Sequence, residues 1–116
     1  MRDTKEVFES HLLFYLDWNM EADIEQNYSS DCILLTSYGI FFGRNGLREM
    51  YRCLENQIPE ADFLFTNRSL YGELAFLEWQ AESDDSFVDD GANTYVIRDG
   101  KIVEQTIHYT VKQREK

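Results

Sequence analysis

The sequence predicts an α+β domain, with helices in its first half and a meander of strands in its second. Apolar residues recur at helical spacing as far as Leu54, and from Ala61 onward they alternate. Near the end, Asp99-Gly100 lies between two runs of β-branched and aromatic residues, 93–98 and 101–111. That is a strong hairpin signal, because a type I′ turn needs two residues that tolerate positive φ.

The elements follow in order. Asp3 with Glu6 reads as a capping pair opening a helix over about 3–19. Its apolar positions form two adjacent stripes, Phe8, Leu12, Tyr15 and Leu16 beside Val7, His11, Phe14 and Trp18. So wide an arc predicts a helix clasped on more than one side. A second helix is expected over 23–28, then a strand over 32–38, a turn at Gly39 and a brief strand over 40–42. Asn45 caps a third helix running to about Glu55, with Leu47, Met50, Tyr51 and Leu54 inward. Strands are expected over 61–71, 74–82, 92–98 and 101–113, with 83–91 a long acidic hairpin loop.

Composition narrows the function classes. Twenty-two acidic against 11 basic residues give a net charge of −11, a field that repels a phosphate backbone and an anionic membrane surface. A length of 116 residues fits one domain, taken as 1–116. Aromatic residues make up 15% of the chain, the supply that a ring-lined core or cavity needs. Cys32 and Cys53 lack metal-ligand spacing and read as free thiols. The N-terminus leads into no apolar signal core and no run approaches a membrane span, so a cytoplasmic protein is expected. Asp84, Asp85, Asp89 and Asp90 fail the alternating pattern of a calcium loop, with Phe87 and Val88 between them. Neither a metal nor another cofactor is expected.

Three segments together resemble the nuclear transport factor 2-like superfamily, and within it the SnoaL-like, polyketide-cyclase-like proteins. They are Tyr28-Ser29-Ser30-Asp31-Cys32, Gly43-Arg44-Asn45-Gly46-Leu47, and the closing run from Asn93 to Val103. The resemblance spans essentially the whole chain. It implies a cone-shaped fold, three N-terminal helices packed in a strongly curved, mostly antiparallel sheet. It also implies an internal pocket and commonly a homodimer through the outer sheet face. The superfamily hosts isomerases, dehydratases, cyclases, binding modules and dimerisation domains, so fold alone does not select among them.

The chemistry of the best understood relatives does not carry over. Ketosteroid isomerases use a carboxylate base, a helix tyrosine and a protonated late-strand acid. Ungapped matching puts Thr36 at the base, Leu12 near the tyrosine (with Tyr15 one turn on) and Asn93 at the acid; only Tyr51 fits. SnoaL-type cyclases move protons with pocket aspartate and histidine, which leaves His108 and Glu78 as catalytic candidates here. With Asn93, Tyr95 and Ile97 inward, as the resemblance implies, strand alternation turns Gln105, Ile107 and Tyr109 inward and His108 outward. One β-bulge would reverse that for His108. On the strand over 74–82, Trp79 faces in and Glu78 out, unless parity is inverted. His11 reads as a partly buried structural residue.

The sequence therefore predicts a small-molecule-binding domain whose pocket is lined by Tyr15, Trp18, Thr36, Tyr51, Trp79, Asn93, Tyr95, Gln105 and Tyr109. Its ligand would be apolar or carbonyl-bearing. The alternatives are a cyclase, isomerase or dehydratase working by proton transfer on a polyketide- or terpenoid-like substrate, or a non-catalytic dimerisation or interaction module.

Overall fold

The computed structural model describes residues 1–115, in the order α1 (Thr4–Leu16), α2 (Met20–Asn27), β1 (Tyr28–Thr36), β2 (Gly39–Phe42), α3 (Gly43–Gln57), β3 (Asp62–Tyr71), β4 (Leu74–Glu82), β5 (Ser86–Arg98), β6 (Lys101–His108) and β7 (Lys112–Gln113). The strands form one sheet in the order β2-β1-β6-β5-β4-β3, with β7 pairing to the start of β5. Every pair is antiparallel except β1–β6, which is parallel and joins the two halves of the chain. Register breaks in β1–β6, β3–β4, β4–β5 and β5–β6 give the sheet its curl, since each bulge bends its strand and increases the local twist. The sheet stays open, with β2 and β3 at its edges.

The helices fill the concave side. The expected capping box holds the start of α1: Glu6 N–H donates to Asp3 Oδ1 at 2.9 Å, and Asp3 N–H to Glu6 Oε1 at 3.1 Å. The helix buries Val7, Phe8, His11, Leu12 and Tyr15. It stops at Leu16, three residues short of the expected end, because Trp18 turns the chain with φ of 53°. α2 starts earlier than expected, at Met20, and buries Asp23, Ile24 and Asn27. α3 buries Leu47, Met50, Tyr51 and Leu54, the stripe read from the sequence. Two arginines on its other faces make surface and carbonyl contacts, Arg48 Nε on Glu21 at 2.9 Å and Arg44 on the Tyr28 carbonyl at 3.2 Å.

The hairpin at Asp99-Gly100 forms with φ of 53° and 75°, the double positive φ that the pair was expected to adopt. Two other expectations change. The acidic stretch 83–91 is mostly strand: β5 starts at Ser86, and Ser86 and Val88 point inward while Asp89 and Asp90 stay in solvent. The last strand ends at His108, and a short β7 returns to pair with Ser86 and Phe87. Among the described residues no helix is long and apolar enough to cross a membrane.

Candidate functional site

The concave interior is polar at its centre, an unusual content for a fully enclosed core. His11 on α1 and Asp23 on α2 are 1% and 0% exposed, with Nδ1 to Oδ2 at 2.7 Å. On its other side, His11 Nε2 meets the Tyr95 hydroxyl at 2.9 Å. Asn93, two positions back on β5, donates from Nδ2 to the same hydroxyl at 3.0 Å. Its Oδ1 accepts from Trp79 Nε1 of β4 at 2.9 Å. Asn27 Nδ2 donates to the second oxygen of Asp23 at 2.8 Å. Asn27 Oδ1 in turn accepts from Arg2 at 2.7 Å.

The hydrogens along this line can be placed. An indole N–H only donates, so Asn93 must turn its oxygen to Trp79 and its amino group to Tyr95. With a neutral imidazole, the Tyr95 hydrogen has His11 Nε2 as its acceptor, and Nε2 carries none. The imidazole hydrogen sits on Nδ1 and is given to Asp23. Trp79, Asn93, Tyr95 and His11 form one directed chain, each donating to the next, ending on a buried carboxylate. The arrangement has the logic of a carboxylate–histidine–hydroxyl triad, with a phenol as the hydroxyl.

A second polar strand adjoins it. Tyr28 donates to Gln105 Oε1, and its oxygen lies 3.0 Å from the Tyr51 hydroxyl, which reaches Asp23 Oδ2 at 3.5 Å. Burial, reinforced by Asp23 and neighbouring phenols, holds the Tyr15, Tyr28 and Tyr51 hydroxyls well above the ordinary tyrosine range. Tyr95 is pushed up chiefly by burial, with the Asn93 bond opposing, and Tyr109 is raised by burial too. All these phenols are neutral at physiological pH.

Of the nine pocket residues expected from the sequence, seven converge here: Tyr15, Tyr51, Trp79, Asn93, Tyr95, Gln105 and Tyr109 are all buried. Their rings rest on one another, as in Tyr15–Tyr51 at 5.6 Å between centroids and Trp79–Tyr109 at 5.6 Å. Thr36 stands apart, its hydroxyl held in the β1–β2 turn by the Gly39 carbonyl at 3.1 Å and the Tyr38 N–H at 2.9 Å. Trp18 lies at the mouth, where its indole N–H bonds the Ala61 carbonyl at 2.8 Å. There it flanks a cleft of about 530 Å³ with Leu16, Glu55, Glu60, Ala61, Asp62 and Phe63. Phe63 forms the floor, its ring 5.4 Å from Tyr15 and 5.7 Å from Trp79. The half-buried Phe63 ring thus touches both the cleft and the aromatic wall of the interior.

Neither catalytic candidate from the sequence faces this interior. The His108 side chain is 65% exposed on the outer face, 3.8 Å from Asp90. Glu78 is exposed and accepts from Asn67 at 3.1 Å. No bulge intervenes between Asn93 and Val96 on the β5–β6 ladder, so the outward parity of His108 stands. The titratable pair inside is His11–Asp23 instead. Its signal in the sequence was the spacing of Asp23 and Asn27, one helical turn apart on a face that also carries Ile24.

No family model and no curated protein matches the chain. Solved structures do. An NTF2-like protein of unknown function from Burkholderia xenovorans LB400 superimposes with a TM-score of 0.77 at 16% identity, over 97% of this chain and 87% of that one. A protein of the SnoaL-like family from Agrobacterium tumefaciens str. C58 gives 0.70 at 13% identity, over 90% and 98%. TerC, co-crystallised with polyporic acid, gives 0.73 at 12% identity, over 92% and 91%. The chain therefore has the nuclear transport factor 2-like fold. Within that fold it is similar in structure to SnoaL-like proteins.

Proposed function

We propose that the protein binds a small apolar, carbonyl-bearing molecule inside the curved sheet, reached from the cleft past Phe63. One observation carries this reading: five aromatic side chains and two amides, drawn from α1, α3, β4, β5, β6 and the segment after it, converge beneath an open cleft. An apolar wall with a few oriented polar groups is the usual make-up of a small-molecule site. Phe63 lines the cleft and touches Tyr15 and Trp79, so it is the side chain a ligand would have to pass. The co-crystallisation of TerC with polyporic acid, a small molecule, supports the same use of the fold.

A thermal-shift and calorimetric screen of cyclic ketones and quinones tests this. Binding that raises Tm, and is lost in Phe63→Trp, is the expected result. A panel that leaves Tm unchanged refutes it.

A second reading has its own support in the directed chain from Trp79 to Asp23. With a substrate carbonyl beside Tyr95, the chain supplies a hydroxyl hydrogen-bonded to a buried histidine–carboxylate pair, the arrangement that proton transfer requires. Enolisation measured by hydrogen–deuterium exchange of a bound ketone, abolished in His11→Asn and intact in His108→Ala, is the expected outcome; equal exchange in all three refutes it. A homodimer in the cytoplasm fits both readings. Ile33, Leu35, Ile40 and Phe42 support self-association, since paired register puts all four on the outer face, exposed.

A further inference from the structure

Two buried side-chain polar atoms among the described residues have no hydrogen-bond partner, Arg44 Nε near the start of α3 and Gln105 Nε2 in the interior. Trp79, Asn93, Tyr95, His11 and Tyr28 each donate to a named acceptor. Gln105 is 3% exposed and accepts from Tyr28, yet its Nε2 gives no hydrogen to any acceptor among the described residues. A buried amide hydrogen left unpaired costs about 1–3 kcal/mol, and native proteins rarely retain one without use. Gln105 pairs across the sheet with Tyr95 on one side and Leu34 on the other, so it faces the centre of the curve.

We propose that Gln105 Nε2 is the recognition group for an acceptor oxygen, a ketone, quinone or lactone carbonyl, on the molecule that occupies the interior. The assignment rests on the binding function proposed above and specifies it. The neighbouring groups select the same polarity. Tyr95 and Asn93 are committed to His11 and Trp79, and Tyr28 to Gln105 itself. A ligand hydroxyl would bring a hydrogen to a place that already has one too many. A carbonyl brings lone pairs and no hydrogen. The rings of Tyr15, Tyr51 and Phe63, packed edge to face in the same interior, supply the apolar surface such a ligand would meet.

Three matched probes test it: 1-indanone, 1-indanol and indane, which share one ring system and differ in the polar group. Calorimetric titration of the wild-type protein is expected to give indanone about tenfold tighter binding than indane, the value of one hydrogen bond inside a site. Indanol is expected to bind no better than indane. Gln105→Met keeps the side-chain length and removes the amide, and Tyr28 can then donate to Tyr51. In that variant the indanone advantage is expected to vanish while indane binding holds. Should the variant not fold, the wild-type side-chain amide resonance of Gln105 decides: it moves on adding indanone and stays on adding indane.

Equal affinity for indanone and indane, with an ordered water held by Gln105, overturns the proposal and leaves the binding function standing. A preference for indanol overturns the assigned polarity. An indanone advantage that survives in Gln105→Met overturns the role of this residue. Binding of none of the three overturns the binding function itself.

Discussion

Raising the pH should unfold this protein over a narrow range near pH 11, and the reason lies in four tyrosines. Tyr15, Tyr28, Tyr51 and Tyr95 are buried, with hydroxyls held above the ordinary range mainly by loss of solvation. In the unfolded chain a tyrosine ionises near pH 10. Between that pH and the higher folded value, the unfolded state has released protons that the folded state keeps. Stability is therefore fully present below about pH 10 and falls as pH rises. One unit above the unfolded value, each such tyrosine contributes about 1.4 kcal/mol toward unfolding, so the four together contribute about 6 kcal/mol. That is comparable to the whole stability of a small domain, about 5–15 kcal/mol. The assay is a paired pH titration, tyrosinate absorbance against backbone circular dichroism. The signal of the four buried rings should appear together with loss of the helical spectrum. Tyr51→Phe removes one of the four, and its stability should decline less steeply with pH. Complete tyrosine ionisation with an intact spectrum would refute the reasoning.

Three further outcomes are expected. His11→Ala leaves the Asp23 carboxylate without its main partner where neither residue is more than 1% exposed; denaturant titration should show a loss of about 3–5 kcal/mol, partly restored by adding Asp23→Asn. Gly91→Ala would put a methyl group 2.3 Å from two carbons of the Trp79 indole, which the Asn93 bond holds in place, so a loss of about 1–3 kcal/mol and a weakened ligand response are expected. Asp3→Ala removes half of the capping box on α1 and should cost about 1 kcal/mol, with His11 exchange protection reduced in step.

The fold was legible because its signals are local. Asp99-Gly100 declares its turn, alternation declares that Asn93, Tyr95 and Ile97 share a face with Gln105 and Ile107, and the family resemblance made that face the inward one. Boundaries were harder where charge hides period. The carboxylates of 84, 85, 89 and 90 suggest a loop, and only Ser86 and Val88 on the alternate positions mark the strand beneath them. The end of α1 was missed because the left-handed turn falls on Trp18, with no glycine to announce it.

Much of the candidate site was legible as a set of inward rings and amides, but its centre was not. His11 and Asp23 are 12 positions apart on separate helices, and Tyr95 lies 84 positions beyond His11. Nothing in the local sequence ties them, because the tie is the docking of α1 and α2 against β5. His108 and Glu78 sit instead on strands whose parity can be read. That parity correctly turned both outward.

The parallel pairing of β1 with β6 has a bearing on how the chain is made. Its partners are as far apart as Tyr28 and Ile102, so the first strand to be synthesised waits for nearly the last. Contacts of such long sequence separation slow folding. Until β6 emerges, β1 offers an unpaired edge beside the exposed Ile33 and Leu35. An unfinished chain is therefore prone to pair with another copy through that edge. A chain halted after β5 leaves the inner edge of β1 open, and the final hairpin is what covers it.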